Sequence, residues 1–113
     1  DALFSLNKYD EAIYAYNKTL EINPQNIDAI SGKSLILFIW GKFSESMEVI
    51  DNGLNAYPNI SSLWMIKGTI LDKMGLFKEA ISAYDKALEI EPDMIQAKKG
   101  KEKSIESLAD LVE

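Results

Sequence analysis

The chain has no cysteine and no histidine. Without cysteine there is no disulfide framework and no thiolate nucleophile. Without either residue the common zinc sites are excluded, as is any catalytic arrangement that uses imidazole as its base. The missing cysteine fits a reducing compartment, and a cytoplasmic location is expected. Long apolar runs are also lacking. The longest, Leu35 to Trp40, has six residues, against the ~20 that a membrane-spanning helix needs, and no signal peptide is visible. Basic residues are in deficit, 12 against 18 acidic, for a net charge of -6. That sign disfavours nucleic acid, whose binding rests on neutralising phosphates with Lys and Arg. It equally disfavours an anionic membrane surface.

The residues present are enough for one folded domain: 113 in all, 47% of them apolar. The first residue is Asp1 and not Met, which points to a piece of a longer protein. Proline is scarce, but its placement is regular: Pro24, Pro58 and Pro92 stand 34 residues apart. The same step links Asn7, Gly41 and Gly75, the aromatics Tyr9, Phe43 and Phe77, and the leucines Leu20, Leu54 and Leu88. It also links the small residues Ala12, Ser46 and Ala80, and Thr19, Gly53 and Ala87. Such a period is the mark of a repeat architecture.

Within each period the pattern is helical. Tyr9, Ala12, Ile13, Tyr16 and Leu20 recur at steps of three and four, on one helix face. Phe77, Ala80, Ile81, Tyr84 and Leu88 repeat the arrangement. Before each such helix sits Gly or Asn, which tolerate the left-handed conformation that ends a helix. After each comes Pro, which closes one helix and can open the next. Asn59 and Asp93 follow their prolines as candidate N-caps. The spacing predicts seven helices, at roughly 1–6, 9–22, 26–40, 43–56, 60–74, 77–90 and 94–112. In the last, Ile105, Leu108, Ala109 and Val112 form an apolar stripe expected to cover the preceding helix pair, while Lys98, Lys99, Lys101 and Lys103 face water or a ligand.

Motifs for chemistry fail on context. Gly32-Lys33-Ser34 resembles the end of a phosphate-binding loop, but that loop needs a glycine five residues earlier, where Ile27 stands. Asn17-Lys18-Thr19 and Asn59-Ile60-Ser61 match the glycosylation triplet, which is common by chance. Asp10-Glu11 and the other acidic pairs lie on helix faces with no convergent partner. No enzyme, cofactor or metal is expected.

The repeating columns resemble the tetratricopeptide repeat. The third unit carries the pattern best, with Trp64, Gly68, Gly75, Phe77, Ala80, Tyr84, Ala87 and Pro92. It departs at Lys67 and Leu71, where that family usually has Leu and Tyr. The middle unit departs more, with Ile30 for Trp, Ser34 for Gly, Ser46 for Ala and Gly53 for Ala. The resemblance implies an all-α fold, a right-handed solenoid of antiparallel helix pairs. It divides the chain into a truncated repeat at 1–24, repeats at 25–58 and 59–92, and a capping helix at 93–113. It also implies a protein-binding module, with first helices lining a concave groove.

On a helix wheel, the groove side carries Phe4, Leu35, Phe38, Ile39, Met65, Ile66, Thr69 and Asp72, with Lys99 and Lys103 at the far end. A solvent face this apolar is expected to take a partner peptide or helix. The two lysines would pair with an acidic group on it. The alternative is self-association, with the patch joining two copies or extending an array. The family's best-known ligand is a C-terminal carboxylate held by Lys, Asn and Arg. The matching positions here hold Asp1, Gly32, Ser62 and Ile66, so that mode is not expected.

Overall fold

The computed structural model describes the backbone of residues 2–112 and the side chains of residues 6–111. Among these residues there are six α-helices and no strand: α1 (Ala2–Ile22), α2 (Ile27–Ile39), α3 (Phe43–Ala56), α4 (Ser61–Lys73), α5 (Phe77–Ile90) and α6 (Ile95–Val112). They fall into two compact units, Asp1–Ala56 and Tyr57–Glu113. In the first unit α2 packs on both α1 and α3. In the second, α4 and α5 pair, and α6 packs on both.

Glycine closes both hairpins. Gly41 and Gly75 adopt φ of 86° and 81°, the left-handed region that a side chain disfavours. At the first, the Gly41 N–H donates to the Phe38 carbonyl at 3.0 Å and the Lys42 N–H to the Leu37 carbonyl at 2.8 Å. At the second, Gly75 donates to Asp72 at 3.0 Å and Leu76 to Leu71 at 2.9 Å. This pair of reversed bonds is the Schellman motif, and it satisfies the last carbonyls of α2 and α4. Asn7 occupies the same column, yet no non-glycine residue among those described has positive φ. The expected break after residue 6 is therefore absent, and α1 runs through it as one helix of 21 residues. Asparagine pays a steric cost in that conformation that glycine does not. A segment of fewer than two turns buries too little to repay it.

The proline loops also differ from expectation in register. The side chain that caps a helix is Asn26, accepting from the Ala29 N–H at 2.9 Å. The same column holds Ile60 and Met94, and α4 starts after Ile60 without a side-chain cap. Asn59 precedes that position by one residue and cannot serve as the N-cap.

The core of the first unit is Ala29, Ile30, Leu37, Ile50 and Leu54. That of the second includes Leu63, Ile70, Leu71, Ala80, Tyr84 and Ala87. Small residues at Ala80 and Ala87 are fully buried, which permits the close helix approach their spacing implies. In the first unit serine stands in the columns of Ala80 and Gly68, as Ser46 and Ser34. Ser34 and Ser46 are both inaccessible to solvent, and their hydroxyl oxygens lie 3.2 Å apart. The Ser46 hydroxyl donates to the Ser34 carbonyl at 2.7 Å, which leaves its oxygen to accept from Ser34. Replacing Ser46 alone by Ala should cost about 1–3 kcal/mol, because it strands a buried hydroxyl. Replacing Ser34 and Ser46 together by Ala should recover most of that loss. Urea denaturation of the two variants measures both effects.

Candidate functional site

Each unit sets a tyrosine of one helix against a glycine of another. A Cβ built on Gly32 would overlap the Tyr16 ring. Tyr84 is held from two sides: a Cβ on Gly68 would come within 2.8 Å of its ring, and one on Gly100 within 2.5 Å. Gly32, Ile66 and Gly100 share one column, as do Tyr16, Ile50 and Tyr84. Where the second column holds Tyr, the first holds Gly. The intervening members of the two columns are Ile50 and Ile66, which are 0% and 4% exposed. The helix wheel places Ile66 on an open groove. The structure corrects this: Ile66 is core, in a column whose other members face tyrosine rings.

The residues predicted around it in the second unit form a hydrogen-bonded cluster. The Thr69 hydroxyl donates to the Met65 carbonyl at 3.1 Å and meets the Tyr84 hydroxyl at 3.1 Å. Thr69 has one proton, so Tyr84 donates in the second contact. Asp72 accepts from the Ser104 hydroxyl at 2.8 Å, and the Lys103 ammonium lies 3.7 Å from its other oxygen. The Asp72 side chain is only 10% exposed. Lys103 thus faces a carboxylate of its own chain, and Asp72 ties α6 to α4. Met65 is half-buried, and Lys99 is exposed on α6.

Burial pushes the Tyr84 phenol above its ordinary value of 10.0. Thr69, which can turn and donate to the phenolate, works against the shift, and the nearby Asp72 charge adds to it. A folded-state value above the unfolded one means the proton is held more tightly in the folded chain. The resulting stability is fully present below about pH 10 and is lost as pH rises through the raised folded value. Tyr84→Phe should flatten the alkaline fall in thermal midpoint, checked by melting curves across that range.

The packing face of α6 also differs from the expected stripe. Ala97 and Ser104 are fully buried, Gly100 lies under Tyr84, and Lys101 pairs with Asp85 at 2.7 Å. Ile105 is 47% exposed, Ala109 is exposed and Leu108 half-buried. The Val112 side chain lies outside the described residues. Small residues win the interface because Tyr84 needs a glycine beside it. Ile105 and Ala109 are therefore turned to solvent.

In the first unit the predicted residues separate into two kinds. The Phe38 ring packs at 5.6 Å on Phe43 and is half-buried, closing the hairpin. Leu35 and Ile39 are 40% and 60% exposed. They project from a helix whose buried face is already supplied by Ala29, Ile30, Ser34 and Leu37. The Phe4 side chain lies outside the described residues. Beside Ile39, Trp40 packs at 5.9 Å from Tyr9, with the Lys42 ammonium 3.8 Å above the indole. This aromatic contact is not foreseen from the sequence, where Tyr9 enters only through its column and helix face. Among the described residues no helix is long and apolar enough to cross a membrane. No group of three or more acidic side chains among them is placed to hold a metal ion.

Comparison with known proteins agrees with the repeat pattern. A TPR repeat family model matches residues 1–32, and a tetratricopeptide repeat model matches residues 61–94. The chain is 28% identical over 96 residues to the protein CTR9 homolog of Arabidopsis thaliana, covering 84% of this chain and 9% of that protein. It is 31% identical over 98 residues to a TPR repeat-containing protein of Methanocaldococcus jannaschii, covering 84% of this chain and 17% of that one. The chain thus spans well under a third of the length of both relatives. Among solved structures it is similar to the first TPR domain of Spaghetti (RPAP3) bound to the HSP90 peptide SRMEEVD. The TM-score is 0.84 at 24% identity, over 94% of this chain and 84% of that one. It is likewise similar to the Sgt2 TPR domain of Aspergillus fumigatus, with a TM-score of 0.86 at 24% identity, over 97% of this chain and 74% of that one.

Proposed function

Because the chain belongs to the tetratricopeptide repeat family, we propose that it is a non-catalytic protein-interaction module that takes an apolar partner segment on the outer face of α2. The observation that carries this reading is the exposure of Leu35 and Ile39, 40% and 60%, on a helix whose packing is otherwise complete. Adjacent exposed aliphatic side chains, one turn apart, cost solubility and add nothing to the fold unless something covers them. They suit the spaced anchors of a helical or extended ligand.

A structural neighbour holds an HSP90 peptide with the sequence SRMEEVD, so capture of a short peptide is within reach of this fold. The acidic tail of that peptide is a poor guide to the ligand here. Gly32, Ser62 and Ile66 stand where basic or amide side chains would grip a carboxylate, and Ile66 is buried. Lys103 already faces Asp72. A cytoplasmic location belongs to the same reading.

Selection of binders from a random peptide library tests it. Apolar segments are expected, with binding lost when Ile39 and Leu35 are changed to Glu. Enrichment of acidic C-terminal tails would contradict the proposal. A dimer mass by light scattering, reverting to a monomer in the same variant, would instead assign the α2 face to self-association.

A further inference from the structure

The first unit contains a hollow of about 190 Å³ at the end of its hairpin, bordered by Pro24, Ile30, Lys33, Gly53 and Ala56 among others. Advancing each of these by 34 residues gives Pro58, Trp64, Lys67, Ala87 and Ile90. In the second unit that is the setting of an indole. The Trp64 Nε1–H donates to the Pro58 carbonyl at 2.8 Å, and the Lys67 ammonium lies 5.5 Å from the ring centroid. The first unit keeps the proline and the lysine, and replaces the tryptophan by isoleucine. Gly53 and Ala56 are also smaller than Ala87 and Ile90, so the space widens further.

We propose that this hollow is a binding site for the indole of a partner protein's tryptophan. The two units share one framework, and the second shows which shape and polarity that framework surrounds. Electrostatic complementarity supports the assignment. Pro24 stands where an N–H is accepted, and Lys33 stands where a cation meets the negative face of an aromatic ring. The volume suffices for a fused ring, since an apolar cavity of about 150 Å³ already admits benzene. The hollow opens to solvent past Pro24 and Ala56, both exposed. A side chain still joined to a peptide can therefore enter. A free small molecule would gain less, because such ligands bind where most of their surface is enclosed. The site lies on residues other than Leu35 and Ile39, and it does not depend on the function proposed for them.

Titration of the isotope-labelled chain with N-acetyltryptophanamide, followed by amide NMR, tests the proposal. The expected result is saturable shifts at Lys33, Gly53 and Ala56. The analogue methylated on the indole nitrogen should bind about two- to tenfold more weakly, the range for loss of one hydrogen bond. Free indole should bind no more tightly than the amide. Ile30→Trp should fill the hollow from within, abolish the shifts and raise the thermal midpoint. Ala56→Ile, at an exposed position, should weaken binding without unfolding the chain. Shifts confined to Tyr9 and Trp40, equal binding of the methylated analogue, or an Ile30→Trp chain that unfolds would each overturn the proposal.

Discussion

Replacing Tyr84 by Ala is expected to lower the unfolding free energy by about 3–5 kcal/mol, the cost of truncating a large buried aromatic. The ring is 3% exposed and lies between Gly68 of α4 and Gly100 of α6. Gly68 and Gly100, which crowd the ring from the two helices, have no side chain to swing into the space it would vacate. The cavity would persist, and residual cavity volume sets where in that range the loss falls. Tyr84→Phe keeps the ring and removes only the bond to Thr69, so it should cost no more than about 1.5 kcal/mol. Chemical denaturation of both variants checks the pair. A small loss for Tyr84→Ala would mean that α4 and α6 close directly on each other.

Changing Gly32 to Leu is expected to destabilise the chain by about 1–3 kcal/mol through overpacking. The sign is informative. Were Gly32 on an open groove, leucine would stabilise α2 by roughly 0.8 kcal/mol through helix propensity alone. In the structure a Cβ there runs into the Tyr16 ring, and the ring or the helix must move. Adding Tyr16→Ala should restore part of the loss, as neighbours sharing a contact are not additive. A stabilised Gly32→Leu chain would show that the two columns do not face each other.

These two residues also show how far the sequence could be read. The 34-residue step, the glycine turns and the small columns of α5 are all legible, because each is a local requirement that recurs along the chain. Ile66 is not. A helix wheel assigns one buried face to each helix, whereas α4 buries Gly68 against one helix and has a second buried column through Ile66. Asn7 misled for a different reason. It sits in the glycine column, and only the balance between left-handed strain and a continuous helix decides its conformation. The stripe on α6 misleads because apolar content is not contact, and Ala97, Gly100 and Ser104 make the interface by being small. Leu35 and Ile39 are exposed, whereas Phe38 beside them closes the hairpin on Phe43. The wheel does not separate exposed from self-packed residues.

The claim that matters most is that Leu35 and Ile39 serve a partner and not the fold. The measurement is the thermal midpoint of the Leu35→Glu, Ile39→Glu variant, taken together with its affinity for a peptide selected on the unaltered chain. The account predicts a stability change within about 0.5 kcal/mol, as for surface positions, and loss of at least tenfold in affinity, equivalent to about 1.4 kcal/mol. A variant that unfolds, or one that binds the peptide as before, would contradict it.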